Sequence, residues 1–294
     1  MYERILVPLD GSKLAEQVFP YVAELARAFD SEVILIGVCE PEEKEYGQAC
    51  QLYVDSEAKK LQSSMEGSAV KVMTALIIGK PATQILSYAE ENDINLIAMT
   101  SHGRSGIMPW SLGSTVNKVL HRVGVPLIIA KAKEMPVESD KTGLFSRILI
   151  PLDGSERSAA VLPYVAEITK KLKSEVILFH VVEAGKHVHT IGGLDYIPFK
   201  DRDVESMKTR AREYLDKESA KLAGTKATTR CEVRAGDCAR EIVKFASEAD
   251  CRLIAMTSHG YSGIETWLHG SVTYKTLQAS DKSVLLVPSP GIHG

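Results

Sequence analysis

The sequence is short of several features that mark whole classes of protein. Its 294 residues contain no apolar run that approaches the roughly 20 residues needed to span a bilayer. They also contain no Lys/Arg block long enough to serve as a footprint for nucleic-acid phosphates, and the formal net charge is −3. The opening segment, MYERILVPLD, carries charges at Glu3 and Arg4 and lacks the apolar core of a signal peptide. We therefore expect no membrane segment and no nucleic-acid partner, and we predict a cytoplasmic protein.

Cysteine is scarce as well, and its spacing fits neither a disulfide framework nor a metal site. The five cysteines are an odd number, and they are Cys39, Cys50, Cys231, Cys238 and Cys251. Three of them fall in apolar strand or helix patterns, where a reduced and buried thiol is the expected state. A His-x-His pair, His187 and His189, has no third ligand nearby, so we interpret both as solvated loop residues. We predict no metal site.

What the sequence does contain is an internal repeat. The segment ILVPLDGS at Ile5–Ser12 returns as ILIPLDGS at Ile148–Ser155, an offset of 143 residues. The segment LIAMTSHG at Leu96–Gly103 returns unchanged at Leu253–Gly260, an offset of 157. The second copy therefore holds 14 additional residues (157 less 143) between its second and third predicted strands. One domain has been duplicated.

The repeat divides the chain. We predict a first domain over residues 1–133, a polar and flexible linker over 134–145, and a second domain over 146–294. The insertion lies within residues 184–204 and should form an excursion over the strand ends.

Each copy alternates strand patterns with helix patterns. Short apolar runs such as Ile5–Leu9 predict buried parallel strands, and longer amphipathic stretches predict helices between them. Pro20 falls inside the first predicted helix, Lys13–Phe29, and indicates a kink or a restart there. The alternation predicts two tandem α/β domains, each with a five-stranded parallel sheet covered by helices on both faces.

A loop that occurs twice stands out as a candidate site. Thr100–Ser114 reads TSHGRSGIMPWSLGS, follows a predicted strand and leads into a helix; it returns as TSHGYSGIETWLHGS at Thr257–Ser271. Backbone N–H groups at a helix start suit an anion such as phosphate. Ligands in such folds bind outside the carboxyl ends of the strands, where Asp10 and the apolar Val38 should meet this loop. We predict a nucleoside phosphate pocket, with the carboxylate on a ribose hydroxyl or on a phosphate-bound magnesium.

Each part of this pocket has a plainer interpretation. Asp10 and Asp153 could only cap the helices that follow them, and the glycines could only permit tight turns. His102 could simply bond to backbone, and Trp110 and Trp267 could be packing anchors. Neither a dinucleotide fingerprint nor a P-loop is present. The nucleotide hypothesis rests on the combination of a carboxylate, an apolar wall and a glycine-rich loop, which occurs in both copies of the repeat.

The same residues resemble the universal stress protein family over nearly the whole chain. The family combines an early strand ending in Asp with a motif of Gly, two residues, Gly, nine residues, Gly, and then Ser or Thr. The matching positions are Gly103, Gly113 and Ser114 in the first copy and Gly260, Gly270 and Ser271 in the second. The first glycine of the motif is replaced by Thr100 and Thr257.

The resemblance implies a flavodoxin-like, Rossmann-like strand order of 3-2-1-4-5 and a tandem form of the family. It also implies ATP, with magnesium, as the ligand, and contacts at Asp10, Val38, Gly103, Gly113, Ser114 and their counterparts. With their neighbours in the strand ends and loops, the candidate nucleotide-binding residues are Pro8, Leu9, Asp10, Val38, Met99, Thr100, Gly103, Arg104, Gly113, Ser114, Thr115, Pro151, Leu152, Asp153, Val181, Met256, Thr257, Gly260, Gly270, Ser271 and Val272.

Three functions compete. The leading hypothesis is an adenine-nucleotide-binding stress-response or signalling regulator whose bound state alters an unknown protein partner. The alternative, favoured by Thr100 and Thr257, is a member that acts through protein contacts without nucleotide. A slow ATPase or autokinase with Ser114 or Thr115 as acceptor has less support, because no base with a second activating group is recognisable near either loop. We predict no catalytic residues.

Two further expectations concern the copies together. The terminal strands, Pro126–Ala130 and Ser283–Val287, would expose unpaired edges, and pairing would give an internal pseudo-dimer, with a homodimer as a further possibility. The two sites should also be unequal. Arg104 in the first loop corresponds to Tyr261 and Met108 to Glu265, so the first site should bind triphosphate about fivefold more tightly.

Overall fold

The structure is a computed structural model with side chains. It describes residues 1–40, 47–104, 106, 111–132, 143–183, 185–190, 193–258 and 271–289, and of these it gives backbone only for 186–190, 193–198 and 271. The chain forms two compact units. The first comprises Met1–Ser146 together with Ser283–Gly294, and the second comprises Arg147–Lys282.

The first unit is a doubly wound α/β layer structure. Its elements in chain order are β1 (Arg4–Leu9), a 3-10 turn (Ala15–Val18), α1 (Phe19–Phe29), β2 (Glu32–Cys39), α2 (Gly47–Ser64), β3 (Lys71–Ile78), α3 (Pro81–Glu91), β4 (Leu96–Thr100), α4 (Ser114–Leu120) and β5 (Leu127–Ala130). The parallel strands lie in the order β3-β2-β1-β4-β5. This confirms the order that the family resemblance implied.

Continuous apolar runs make the central strands of this sheet. Every residue of β4 and of β5 is buried, as expected for parallel strands covered by helices on both faces. The outer strand β3 alternates exposed and half-buried side chains over much of its length, because its outer edge has no neighbour among the described residues. The apolar core thus lies on both sides of β1, β2 and β4.

Proline places the start of α1. The chain makes the 3-10 turn first, and α1 then begins at Phe19 with Pro20 in its first turn. A first-turn proline loses no intrahelical hydrogen bond, since that N–H would be unpaired anyway. The restart predicted at Pro20 is therefore confirmed, and the second copy repeats it with Pro163 in the first turn of its own helix.

The final strand of the chain, β12 (Ser283–Val287), belongs to the first unit. It pairs antiparallel with β5, with Leu285 opposite Ile128. The Ser283 hydroxyl accepts from the Lys131 N–H at 3.1 Å and donates to the Tyr21 hydroxyl at 2.8 Å. The pairing predicted from the sequence between the terminal strands Pro126–Ala130 and Ser283–Val287 is therefore present, and it extends the five parallel strands of this unit by one antiparallel strand.

The second unit repeats the pattern with four parallel strands. Its elements are β6 (Arg147–Pro151), α5 (Glu156–Ala159), α6 (Leu162–Lys171), β7 (Glu175–Val182), β8 (Gly185–Thr190), β9 (Gly193–Pro198), α7 (Asp201–Ser219), a 3-10 turn (Ala220–Leu222), β10 (Thr228–Ala235), α8 (Cys238–Glu248), β11 (Leu253–Thr257) and α9 (Ser271–Ala279). The order is β10-β7-β6-β11, which matches the first four positions of the other unit.

The fourteen-residue insertion has a regular backbone. It contains β8 and β9, which pair as an antiparallel two-stranded sheet with Gly185 opposite Pro198. The side chains of His187 and His189 lie outside the described part of the structure, as does the linker over residues 133–142.

The remaining sequence expectations concern thiols and membranes. Cys39, Cys231 and Cys251 are buried and Cys50 and Cys238 half-buried, all as free thiols. Burial raises the pKa of both Cys231 and Cys251 to about 11. In the described ranges, no helix combines the length and apolarity that a membrane crossing requires.

Candidate functional site

A cavity of about 470 Å³ opens at the carboxyl ends of β1, β2 and β4 in the first unit. All the candidate residues proposed for the first copy line it: Pro8, Leu9, Asp10, Val38, Met99, Thr100, Gly103, Arg104, Gly113, Ser114 and Thr115. This is the point in a doubly wound sheet where strand order reverses and ligands bind. The volume lies within the range of about 300–1,000 Å³ typical of small-molecule sites.

Asp10 joins the two sides of the cavity. One of its carboxylate oxygens, Oδ1, accepts from the Ser12 N–H at 3.0 Å and from the Ser12 hydroxyl at 2.6 Å. The Ser12 hydroxyl in turn accepts from the Ala15 N–H at 3.1 Å, which starts the 3-10 turn. The other oxygen, Oδ2, accepts from the Arg104 N–H at 2.6 Å. Asp10 is therefore a turn residue, as the plainer interpretation held, and it also holds the glycine loop.

Gly103 is required by this arrangement. A Cβ placed on Gly103 would lie 2.0 Å from Asp10 Oδ2, far inside van der Waals contact. The carboxylate thus occupies the space that any other side chain would need at position 103. Asp10, which follows β1, and the motif glycine Gly103 therefore depend on each other: the carboxylate fits only where the loop has no side chain.

Arg104 folds back over the end of β1. Its side-chain nitrogens Nε and Nη2 donate to the Asp10 carbonyl oxygen at 3.0 and 2.6 Å. The side chain is exposed, so its positive charge lies at the mouth of the cavity. An anionic group entering the cavity would meet this guanidinium.

The first turn of the loop is fixed by short hydrogen bonds. The Thr100 hydroxyl donates to the His102 carbonyl oxygen at 2.7 Å, and both residues are buried. The Ser101 N–H donates to the Ala130 carbonyl oxygen at 2.8 Å, and the Gly113 N–H donates to the Ser101 carbonyl oxygen at 2.8 Å. Residues at both ends of the loop are therefore tied to the end of β4.

Gly113 forms the N-cap of α4. Having no side chain, it leaves the first-turn N–H groups without a side-chain cap. A Cβ here would lie 3.3 Å from the Ser101 carbonyl oxygen, so a larger residue would push the two ends of the loop apart. Ser114 and Thr115, which follow, add two hydroxyl-bearing residues to the cavity lining. The loop residues from 107 to 110, Trp110 among them, lie outside the described residues.

Several lining residues escaped the sequence analysis. These are Ala15, Ile36, Glu40, Pro81, Ile85, His102 and Val116. Ile36 could have been found, because it lies two residues before Val38 on the same face of β2. Pro81 and Ile85 could not, since they belong to α3, and only the tertiary fold brings that helix to the strand ends.

The second unit builds the same turn. Asp153 Oδ1 accepts from the Ser155 N–H at 3.0 Å and from its hydroxyl at 2.6 Å, and the Ser155 hydroxyl accepts from the Ser158 N–H. The other candidates end the neighbouring strands or start α9: Pro151, Leu152, Val181, Met256, Thr257, Ser271 and Val272. Gly260, Gly270 and Trp267 lie outside the described residues.

The second strands of the two units, β2 and β7, differ in side-chain size at one matching position. His180 stands where the first unit has Gly37, a residue whose Cβ would lie 2.9 Å from a Val54 methyl carbon. The second unit has the smaller Ala211 at the position of Val54, which makes room for the imidazole. His180 lies edge-on to the Tyr214 ring at a centroid distance of 6.4 Å. Burial lowers its pKa, against the opposing effects of a hydrogen bond with the Leu152 backbone and of the Asp153 charge.

Fold and cavity together define a class: a doubly wound α/β protein, built twice, with a cavity at the strand switch point of its first unit. The model of the universal stress protein family matches residues 1–131 and again residues 144–288. The chain belongs to the universal stress protein family, in a tandem form.

Individual relatives agree. The chain is 32% identical over 149 residues to universal stress protein YxiE of Bacillus subtilis, covering 49% of this chain and 99% of that protein. A crystal structure of a universal stress protein from Archaeoglobus fulgidus aligns over 98% of this chain and 99% of its own, with a TM-score of 0.71 and 21% identity. A further solved member, a universal stress protein in complex with cAMP, aligns over 45% of this chain and 98% of its own, with a TM-score of 0.37 and 20% identity.

Proposed function

We propose that this chain binds an adenine nucleotide in the cavity of its first unit and acts as a stress-response or signalling regulator. One observation carries the proposal. The cavity combines a carboxylate, a glycine loop in which a side chain at position 103 would displace that carboxylate, hydroxyl groups at the start of α4 and an apolar wall. Those are the parts that a sugar, a phosphate chain and a base each require.

The assignment of parts follows from their chemistry. The apolar side chains of Ile36, Val38 and Met99 would pack against the base. The carboxylates of Asp10 and Glu40 would bond a ribose hydroxyl or hold a phosphate-bound magnesium, which prefers oxygen ligands. Backbone N–H groups of the loop and the hydroxyls of Ser114 and Thr115 would take the phosphates.

We propose that the nucleotide acts as a bound signal. Its presence would fix the loop that Asp10 and Arg104 already tether, and a partner protein would sense that surface. The fit of the ligand differs between loop conformations, and only such a difference can shift an equilibrium between them. The nucleotide is thus a regulator in this proposal and its turnover is not required.

The experiment is an analysis of nucleotide that purifies with the chain. Freshly purified protein is denatured with acid, and released nucleotides are identified by chromatography. We expect ATP, ADP or AMP from the unchanged chain, and none from Gly103→Ala, whose new Cβ would displace Asp10. Gly124→Ala is the matched control, because a Cβ there meets nothing within 4 Å. Equal nucleotide content in the two variants would contradict the site assignment.

A second candidate function is protein contact without nucleotide, and one surface favours it. The outer strand β3 exposes Met73 to 39% and Ile78 to 47% of their areas, an unusual amount for large apolar residues. The matching positions in β10 are Arg230 and Ala235. The first unit thus exposes two apolar side chains, whereas the matching residues of the second unit are an exposed arginine and a half-buried alanine. Substituting Met73→Arg and measuring capture of a partner would separate this candidate from nucleotide binding.

A further inference from the structure

The two units differ in charge at one position whose backbone is the same in both. Lys80 precedes α3 and Asp237 precedes α8, and each follows a glycine. The dihedral angles match closely: φ −75° and ψ 123° at Lys80, and φ −75° and ψ 125° at Asp237. The preceding glycines match too, with φ of 151° at Gly79 and 154° at Gly236.

Hydrogen bonds place both residues at the same point of their sheets. The Gly79 N–H donates to the carbonyl oxygen of Cys39 at 2.9 Å, and the Gly236 N–H donates to that of Val182 at 3.0 Å. Cys39 and Val182 each end the second strand of their unit. Lys80 and Asp237 are therefore equivalent positions that differ only in the side chain.

In the first unit this position borders the cavity. Glu40, which follows Cys39, lines the cavity, and so does Pro81, which follows Lys80. Lys80 itself is exposed and directly precedes the lining residue Pro81 in the chain. It adds a second positive charge, after that of Arg104, beside a cavity that Asp10 and Glu40 also line.

In the second unit the same position carries a carboxylate. The Asp237 carboxylate accepts from the Arg240 N–H at 2.9 Å and so caps α8. Glu241 replaces Gln84 one turn into the helix; a Cβ on Gly236 would lie 2.9 Å from its side chain, as one on Gly79 would lie 2.6 Å from Gln84. The Glu241 side chain therefore packs against Gly236, the residue before Asp237, and adds a second carboxylate to this region.

The thiol of Cys238 lies near several of these carboxylates. Cys238 stands where the first unit has Pro81, and it is half-buried. Burial, together with the smaller effects of the carboxylates of Glu183, Asp237 and Asp153, raises its pKa to about 11. Three carboxylates from three different strand and helix ends therefore act on one point of this crevice.

We propose that Lys80 and Asp237 decide which crevice accepts a nucleotide, so that the chain binds one nucleotide, in its first unit. The positive charge of Lys80 would attract an anionic nucleotide to the first cavity, whereas the negative charges of Asp237 and Glu241 would repel it from the second unit. The inference rests on the proposed function and extends it, because it assigns selectivity to residues that the family motif does not contain.

The first test counts binding sites by equilibrium dialysis with ATP and magnesium at low salt. We expect one equivalent for the unchanged chain and a second, weaker equivalent for the double variant Asp237→Lys with Glu241→Gln, which copies Lys80 and Gln84. Asp237→Asn with Glu241→Gln keeps a capping oxygen and serves if the lysine variant fails to fold. Asp203→Lys, at an exposed carboxylate in the first turn of α7, controls for net charge.

The second test weakens the first site. We expect Lys80→Asp to lower ATP affinity about tenfold at low salt, because two charges change beside a ligand that carries several. Lys71→Asp makes the same charge change at the opposite end of β3 and should leave the affinity unchanged. Raising the salt concentration should reduce the effect of Lys80→Asp.

The outcomes separate the two proposals. No binding by the unchanged chain would overturn the proposed function and this inference together. Two equivalents in the unchanged chain, a second site that fails to appear in every double variant that folds, or an unaltered affinity in Lys80→Asp would overturn only the inference.

Discussion

At the scale of single residues, Thr100 shows that a residue at a motif position can have a structural role within the loop. Its hydroxyl donates to the His102 carbonyl oxygen at 2.7 Å, in a place that is 5% exposed. The oxygen is thus engaged within the loop although the residue lines the cavity. The β-branched side chain here stabilises the first turn of the loop.

Thr100→Val should therefore destabilise the protein by about 1 kcal/mol, since it keeps the shape and leaves the buried His102 carbonyl without this donor. Chemical denaturation measures the effect. Thr100→Ser keeps the hydroxyl and should retain that hydrogen bond, although it loses a methyl group. If the valine variant unfolds at the same denaturant concentration as the unchanged chain, the hydrogen bond contributes nothing.

His180 makes stability depend on pH in a definite direction. Burial holds its pKa below the ordinary value of 6.5, so the folded protein prefers the neutral ring. The unfolded chain then binds more protons between the two pKa values, and stability falls as pH drops below about 6.5 until the folded pKa is passed.

His180→Gln should remove part of that loss. Thermal unfolding measured from pH 7.5 down to pH 5 should show a shallower decline for the variant than for the unchanged chain. A decline of some size should persist, because burial also lowers the pKa of His121. Identical curves for the two proteins would mean that His180 titrates alike in both states.

At the scale of elements, β12 covers an edge that the sheet would otherwise expose. It pairs with β5 through backbone hydrogen bonds, and Ser283 adds its contacts with Lys131 and Tyr21. An uncovered edge strand presents unpaired N–H and C=O groups to other molecules. The first copy of the repeat therefore depends on a strand supplied by the far end of the chain.

A chain truncated after Lys282 should self-associate more than the full-length chain, because it exposes the edge of β5. Sedimentation velocity at equal concentrations gives the comparison. Ser283→Ala is the control, since it loses the two side-chain hydrogen bonds and keeps the backbone pairing. If the truncated and full-length chains sediment alike, β12 is not needed to prevent self-association through the edge of β5.

The positions of the helices and strands were largely predictable from the sequence, but the direction and register of the pairing between β12 and β5 were not. Apolar runs located β1, β2, β4 and β5, and Pro20 located the start of α1, because these signals are local. The pairing of β12 with β5 was predicted because each copy ends in an apolar edge strand, whereas its antiparallel direction and its register are seen only in the structure. Its own sequence, SVLLV, carries no mark of the strand beside it.

The candidate site divides in the same way. Asp10 and the motif glycines were predictable because their spacing repeats, whereas Pro81 and Ile85 reach the cavity from a helix distant in sequence. The close fit of Gly103 against Asp10 depends on two loops meeting, and no pattern in either loop indicates it. Whether these residues bind a nucleotide stays a prediction.

At the scale of the whole molecule, duplication has produced two units with one fold and different crevices. The sequence predicted unequal sites from Arg104 and Tyr261, and the structure adds the exchange of Lys80 for Asp237. A single working site beside an altered copy would let one half sense a ligand while the other is free to change. The exchange of Lys80 for Asp237 lies at the strand ends, where ligands bind, and the order of the first four parallel strands is the same in both units.

Calorimetric titration of the unchanged chain with ATP, ADP and AMP in the presence of magnesium tests the central claim most directly. We expect a saturable heat for at least one of the three nucleotides, lost in Gly103→Ala and retained in Gly124→Ala. Absence of any heat at millimolar concentrations of all three nucleotides would contradict it.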